Sequence, residues 1–146
     1  MMLKLFSILL ITGLFISGCG SSKKTTVTNV SLTDNEWRLT EFMGRPIPAS
    51  MTATKDLTLL FSKEGNRVSG YSGCNTFAGS YTTPDPTKIS FSQMLSTMKA
   101  CPSNMELETA YLKMLQDIDN YAINGNILSL NKSKIGTMAK LEAVKK

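Results

Sequence analysis

Three cysteines, Cys19, Cys74 and Cys101, carry the most reactive side chains of this 146-residue chain, and there is no histidine to assist them. Lacking imidazole, the chain has no Ser-His-Asp or Cys-His nucleophile system and no histidine-based zinc site. Catalysis on what remains needs a Ser-Lys pair, two cooperating carboxylates or a lone activated thiol. The 11 carboxylates fall mostly beside turns or on the polar face of a helix, where a charge is solvated, and none pairs off as an acid/base couple. No catalytic residue and no cofactor is therefore assigned, and the chain is read as a non-enzyme. The sulfur chemistry leaves two readings open. Outside the cytoplasm Cys74 and Cys101 are most simply a disulfide, worth roughly 3–4 kcal/mol by loop closure and placed to pin the start of a helix to a sheet turn. The alternative is a pair of reactive or metal-binding thiols, although two sulfurs without histidine make a poor zinc site. Of nine methionines, Met94, Met98 and Met105 flank Cys101. Their thioethers would suit copper(I), against the plainer reading that methionine fills irregular core gaps; no metal ligand is assigned.

Cys19 has a different task. It follows a leader with one early charge (Lys4), an apolar core from Leu5 to Ile16, and the small residues Ser17 and Gly18. That pattern is a lipoprotein export signal over 1–18, too short and too interrupted by Thr12 and Gly13 to cross a bilayer of ~30 Å comfortably. Cleavage would leave Cys19 as the lipidated first residue, with acyl chains such as palmitate contributing roughly 0.8 kcal/mol per buried methylene. Residues 19–31 then form a small, polar, basic tether, and residues 32–146 one compact domain. The address is the cell envelope, on a membrane through the lipid. Gly20, rather than aspartate, after the cysteine suits the outer membrane. The formal charge of +5 falls by one with Lys4 and is spread along the chain. An exported chain without a dense basic stretch in its domain is not expected to bind nucleic acid.

The elements that must position these residues follow from periodicity. Polar and apolar residues alternate through 36–42, placing Trp37 and Leu39 on one face, and a turn at 43–46 ends the run. Strands are expected over 57–61 and 67–71, joined by a hairpin turn at 63–66, then over 76–81 and 88–91. The period changes after Pro102: Leu107, Tyr111, Met114, Leu115 and Ile118 recur at helical spacing, predicting one amphipathic helix over about 104–120. Ser103 and Glu106 fit a capping box at its start. A hairpin about Asn124-Gly125-Asn126 and a last strand over 136–141 complete a mainly β domain, a small curved antiparallel sheet or barrel with one helix.

The run Gly70-Tyr71-Ser72-Gly73-Cys74-Asn75-Thr76-Phe77-Ala78-Gly79-Ser80-Tyr81 resembles the signature of the META domain family of HslJ-like bacterial lipoproteins. Trp37-Arg38-Leu39 matches the family's opening, and Ala100-Cys101-Pro102 its second block, followed by Glu108, Tyr111 and Leu115 on a helix. Lys99 stands where many relatives have methionine. The resemblance implies a barrel-like antiparallel sheet with one helix, and an envelope role linked in relatives to heat or antibiotic stress. It implies no activity or ligand. Gly70, Gly73 and Gly79 are read physically, as positions of tight turning and close backbone approach, and Asn75 as a side-chain bridge across the turn. The expected function is a non-enzymatic envelope lipoprotein that supports envelope integrity by binding an unidentified envelope protein or ligand. The alternative is a small-molecule or copper-binding barrel.

Overall fold

The computed structural model describes residues 29–48 and 55–144. The leader, Cys19 and most of the tether lie outside the described residues. Strand β1 (Glu36–Phe42) turns its alternation inward, with Trp37 and Leu39 buried. Met43 and Gly44 then take positive φ of 49° and 75° and fold the chain back into the two-residue β2 (Arg45–Pro46). β3 (Thr58–Phe61) and β4 (Arg67–Tyr71) form the expected hairpin around a single 3-10 turn at Glu64–Asn66. β5 (Thr76–Thr82) and β6 (Ser90–Ser96) continue the meander. After the helix α1 (Met105–Asp117), the chain makes the hairpin β7 (Asn120–Asn124) and β8 (Ile127–Lys132) and returns as β9 (Gly136–Val144) beside β1.

All pairings are antiparallel, in the order β6-β5-β4-β3-β1-β9-β8-β7, with β2 attached to β1. The sheet is not closed. Its two end strands approach at an isolated bridge between Lys88 and Asn120, where the Tyr121 N–H donates to the Thr87 carbonyl at 2.8 Å. The interior is filled by side chains: Trp37, Phe61, Tyr111, Leu115, Leu128 and Leu141 belong to one buried cluster. Burying side chains of this size contributes roughly 1.5–3 kcal/mol each. α1 contributes Tyr111, Met114 and Leu115 to that cluster and packs against β6. Phe42 and Phe77 meet the Tyr111 ring edge-on at 6.3 and 6.1 Å, which fixes the helix against both halves of the sheet.

Three local expectations change. The capping box does not form: the residue before the helix is Asn104, without a side-chain cap bond, because its amide reaches across to the Gly73 carbonyl at 3.0 Å. The chain entry is fixed by this cross-link and by the turn bond from the Asn104 N–H to the Cys101 carbonyl, so the helix starts one residue beyond Ser103's capping reach. The helix also stops at Asp117, because Ile118 is extended and Asn120 already pairs in β7. At the other end, Asn29 and Val30 are already hydrogen-bonded to the Gly125 turn, at 2.7 and 3.1 Å, so the ordered domain reaches back into the expected tether.

Candidate functional site

The motif residues of β4, β5 and the β6–α1 connection converge at the entry to the helix. Ser72 closes the β4–β5 turn, its backbone N–H and its hydroxyl both donating to the Asn75 carbonyl, at 2.9 and 2.8 Å. Gly73 sits at φ +105°, which a side chain would strain, and its carbonyl accepts from both Tyr71 Oη and Asn104 Nδ2. Cys74 is bonded to Cys101, with Cα atoms 5.8 Å apart. The disulfide thus joins the β4–β5 turn to the approach of α1, and it takes up both thiols that a metal site would have used.

Asn75 is the hub. It is 2% exposed, and each polar side-chain atom is occupied. Its Oδ1 accepts from Thr97 Oγ1 and from the Lys99 N–H, both at 2.7 Å. Its Nδ2 donates to the Lys99 carbonyl at 3.1 Å and to both carboxylate oxygens of Glu108, at 2.9 and 3.1 Å. The Asn75 backbone N–H donates to Glu108 Oε2 at 3.1 Å. One amide therefore ties the turn, the β6–α1 connection and the helix together, a wider bridge than one across a turn.

Glu108 corrects the expectation that the helix carboxylates are solvated: it is 6% exposed. The signal was present in the spacing. Glu108 lies three residues before Tyr111 and seven before Leu115, on the same face of the helix. Thr97 and Asn104, which complete the network, carry no comparable signal. The remaining motif residues hold the sheet. Trp37 is buried, with its indole N–H donating to the Leu32 carbonyl at 2.8 Å. Phe77 and Tyr81 point inward, and Tyr81 Oη reaches the Ser62 carbonyl at 3.1 Å. At Gly79, beside the register shift between β5 and β6, an added Cβ would meet Met94 Sδ and the Ser92 carbonyl. Met94 thus packs against the sheet and core, away from any thioether cluster. Ala100 and Pro102 are exposed beside the disulfide.

A surface groove of about 450 Å³ opens over this network, lined by Ser96, Thr97, Met98, Ala100, Met105 and Glu108 among others. Met98 is 99% exposed and Met105 41%, so their thioethers are available for contact. Away from the groove, Tyr111 Oη is buried without a hydrogen-bond partner among the described residues, and burial pushes its phenol up. Asp119, just before β7, accepts from the Ser133 N–H and hydroxyl and from Asn120, which hold its carboxyl down at about 2.

The sequence model of the META domain family matches residues 30–145. Among solved structures, the chain is similar to a protein from Burkholderia xenovorans, at 27% identity and a TM-score of 0.63, covering 79% of this chain and 85% of that one. It is also similar in fold to a DUF4847-family protein from Bacteroides vulgatus, at 15% identity and a TM-score of 0.57, covering 79% of this chain and 96% of that one. No curated protein matches the sequence.

Proposed function

The chain belongs to the META domain family, and from that premise we propose that it is a lipid-anchored, non-enzymatic envelope protein that supports envelope integrity under heat or antibiotic stress by binding another envelope component. The observation that carries this reading is how the motif is used. Asn75, Cys74 and Cys101 are each committed to another protein atom, so the residues most diagnostic of the family hold a turn against a helix. Residues so employed build a rigid surface for recognition. The export signal over 1–18, cut before Cys19, supplies the address in this reading.

The test is complementation. A deletion strain is grown at elevated temperature and with a cell-wall antibiotic, carrying either the wild-type gene or Cys19→Ser. The proposal expects the deletion to be sensitive and wild type alone to restore growth. Equal rescue by Cys19→Ser would refute the anchored role, and an unaffected deletion strain would refute the envelope role. Copper(I) binding is a second reading because Met98 and Met105 line one groove. Retention of copper by the purified protein, lost in Met98→Leu/Met105→Leu, would establish it.

A further inference from the structure

A separate groove of about 290 Å³ lies between the β1–β2 hairpin and the first turn of α1, lined by Phe42, Arg45, Pro46, Ile47, Pro48 and Leu107. It shares no lining residue with the groove over the Asn75 network. Met43 and Gly44, both at positive φ, close the hairpin in two residues, and Arg45 pairs directly opposite Phe42. Opposed residues share one face of a sheet, so the Arg45 side chain leaves the backbone beside the Phe42 ring. The apolar walls are anchored. Phe42, Ile47 and Leu107 pack against the core, and the Phe42 ring meets Tyr111, one helical turn beyond Leu107, edge-on at 6.3 Å.

Two features decide what the groove can take. The first is a shortage of donors along its length. Pro46 and Pro48 have no N–H, and the Ile47 N–H is spent on the Thr40 carbonyl at 2.9 Å. A peptide strand laid along 46–48 would find no backbone donor there for its carbonyls. The second feature is charge. Among the described residues that line the groove, Arg45 alone is charged. It joins none of the ion pairs among the described residues, whose cations are Arg38, Lys63, Lys113, Lys132 and Lys140. All 11 side-chain carboxylates of the chain fall within the described residues, so none elsewhere is left to pair with it.

We propose that this groove binds a medium-chain monocarboxylate, its unbranched tail along Phe42, Ile47, Pro48 and Leu107 and its carboxylate on the Arg45 guanidinium. A hydrocarbon tail asks for no hydrogen bonds, and a guanidinium presents its donors as a fork that matches a carboxylate. With one liquid water, ~30 Å³, as the scale for a non-hydrogen atom, 290 Å³ holds about ten, the size of octanoate. The site does not rest on the envelope reading.

The full chain, purified without detergent and with its disulfide intact, is titrated with sodium octanoate while the Ile47 and Leu107 methyl groups are followed by NMR. The proposal expects saturable shifts at both, roughly tenfold weaker with octan-1-ol and with octylamine, which keep the tail and lose or invert the charge. Arg45→Gln, at an exposed position, should bring octanoate down to the level of octan-1-ol with the fold unchanged. Arg45→Lys should keep part of the difference. Equal shifts from octan-1-ol and octanoate would overturn the proposal. So would the absence of saturable shifts, shifts spread over the surface with none at Ile47 and Leu107, or full binding by Arg45→Gln. Tighter binding of acetyl-glycyl-leucine would assign the groove to the carboxylate end of a peptide and overturn the proposal. Shifts from phosphatidylglycerol vesicles with none from octanoate would overturn it in favour of a lipid surface.

Discussion

Removing Glu108 tests whether the buried network holds the domain, and its magnitude follows from the contacts. Glu108→Ala strands the Asn75 backbone N–H, which costs about 1–3 kcal/mol when buried. Loss of the side-chain stem adds about 1–2 kcal/mol, and relief from burying a charge offsets part of both. A net loss of about 2–3 kcal/mol is expected. Asn75→Ala is worse, about 3–5 kcal/mol, because it takes the Nδ2 donor from the desolvated carboxylate, leaving only the backbone N–H of residue 75, and strands the groups of Thr97 and Lys99 that the amide served. The double variant removes the Nδ2 donor and the carboxylate together, with only the backbone N–H of residue 75 left stranded, so it should lose about 3–4 kcal/mol, less than the sum of the single losses. Urea unfolding of the four proteins, read by fluorescence of Trp37, closes the cycle. A coupling of at least about 1.5 kcal/mol is expected. Additivity within about 0.5 kcal/mol, or a Glu108→Ala loss below that figure, would refute the reasoning.

Reduction of the Cys74–Cys101 bond, which spans 27 positions, should lower stability by about 3–4 kcal/mol by loop-closure entropy. At roughly 4 °C per kcal/mol for a domain of this size, the melting temperature should fall by roughly 15 °C; a calorimetric change of only a few degrees would show the loop to be pinned without it. Tyr111→Phe removes a buried hydroxyl without a partner among the described residues and should raise stability by about 1 kcal/mol, checked by the urea midpoint; a loss of that size would place a partner at the hydroxyl. Asp119 has its carboxyl lowered from 3.8 to about 2, so its hydrogen bonds stabilise the fold fully above about pH 4 and are lost as pH falls through 2. Asp119→Asn should therefore be less stable than wild type at neutral pH and converge with it by about pH 2 in pH-dependent thermal melts, whereas a gap independent of pH would contradict the assignment.

The sheet was largely legible because its strands alternate over one buried face. Trp37 and Leu39, Phe77 and Tyr81, and Leu128 and Leu130 all point inward at period two. Gly65 and Gly125 marked their turns through positive φ. What local pattern failed to reveal was decided by contacts distant in sequence. Asn104 spends its amide on Gly73, 31 positions away, so a local capping box loses to a tertiary bond. Glu108 is buried because Asn75, 33 positions away, brings the donors that offset its desolvation. The open edge of the sheet was equally hidden, since whether β6 meets β7 depends on the accumulated shear of eight strands and on no single segment.

The most direct test of the account is the intact mass of the protein extracted from the membranes of the cells that make it. The account predicts a chain cut before Cys19, carrying acyl groups on that residue, and two hydrogens lighter than its reduced form. A chain that retains Met1, or ends at an unmodified cysteine in the soluble fraction, would contradict the anchored envelope role at its root.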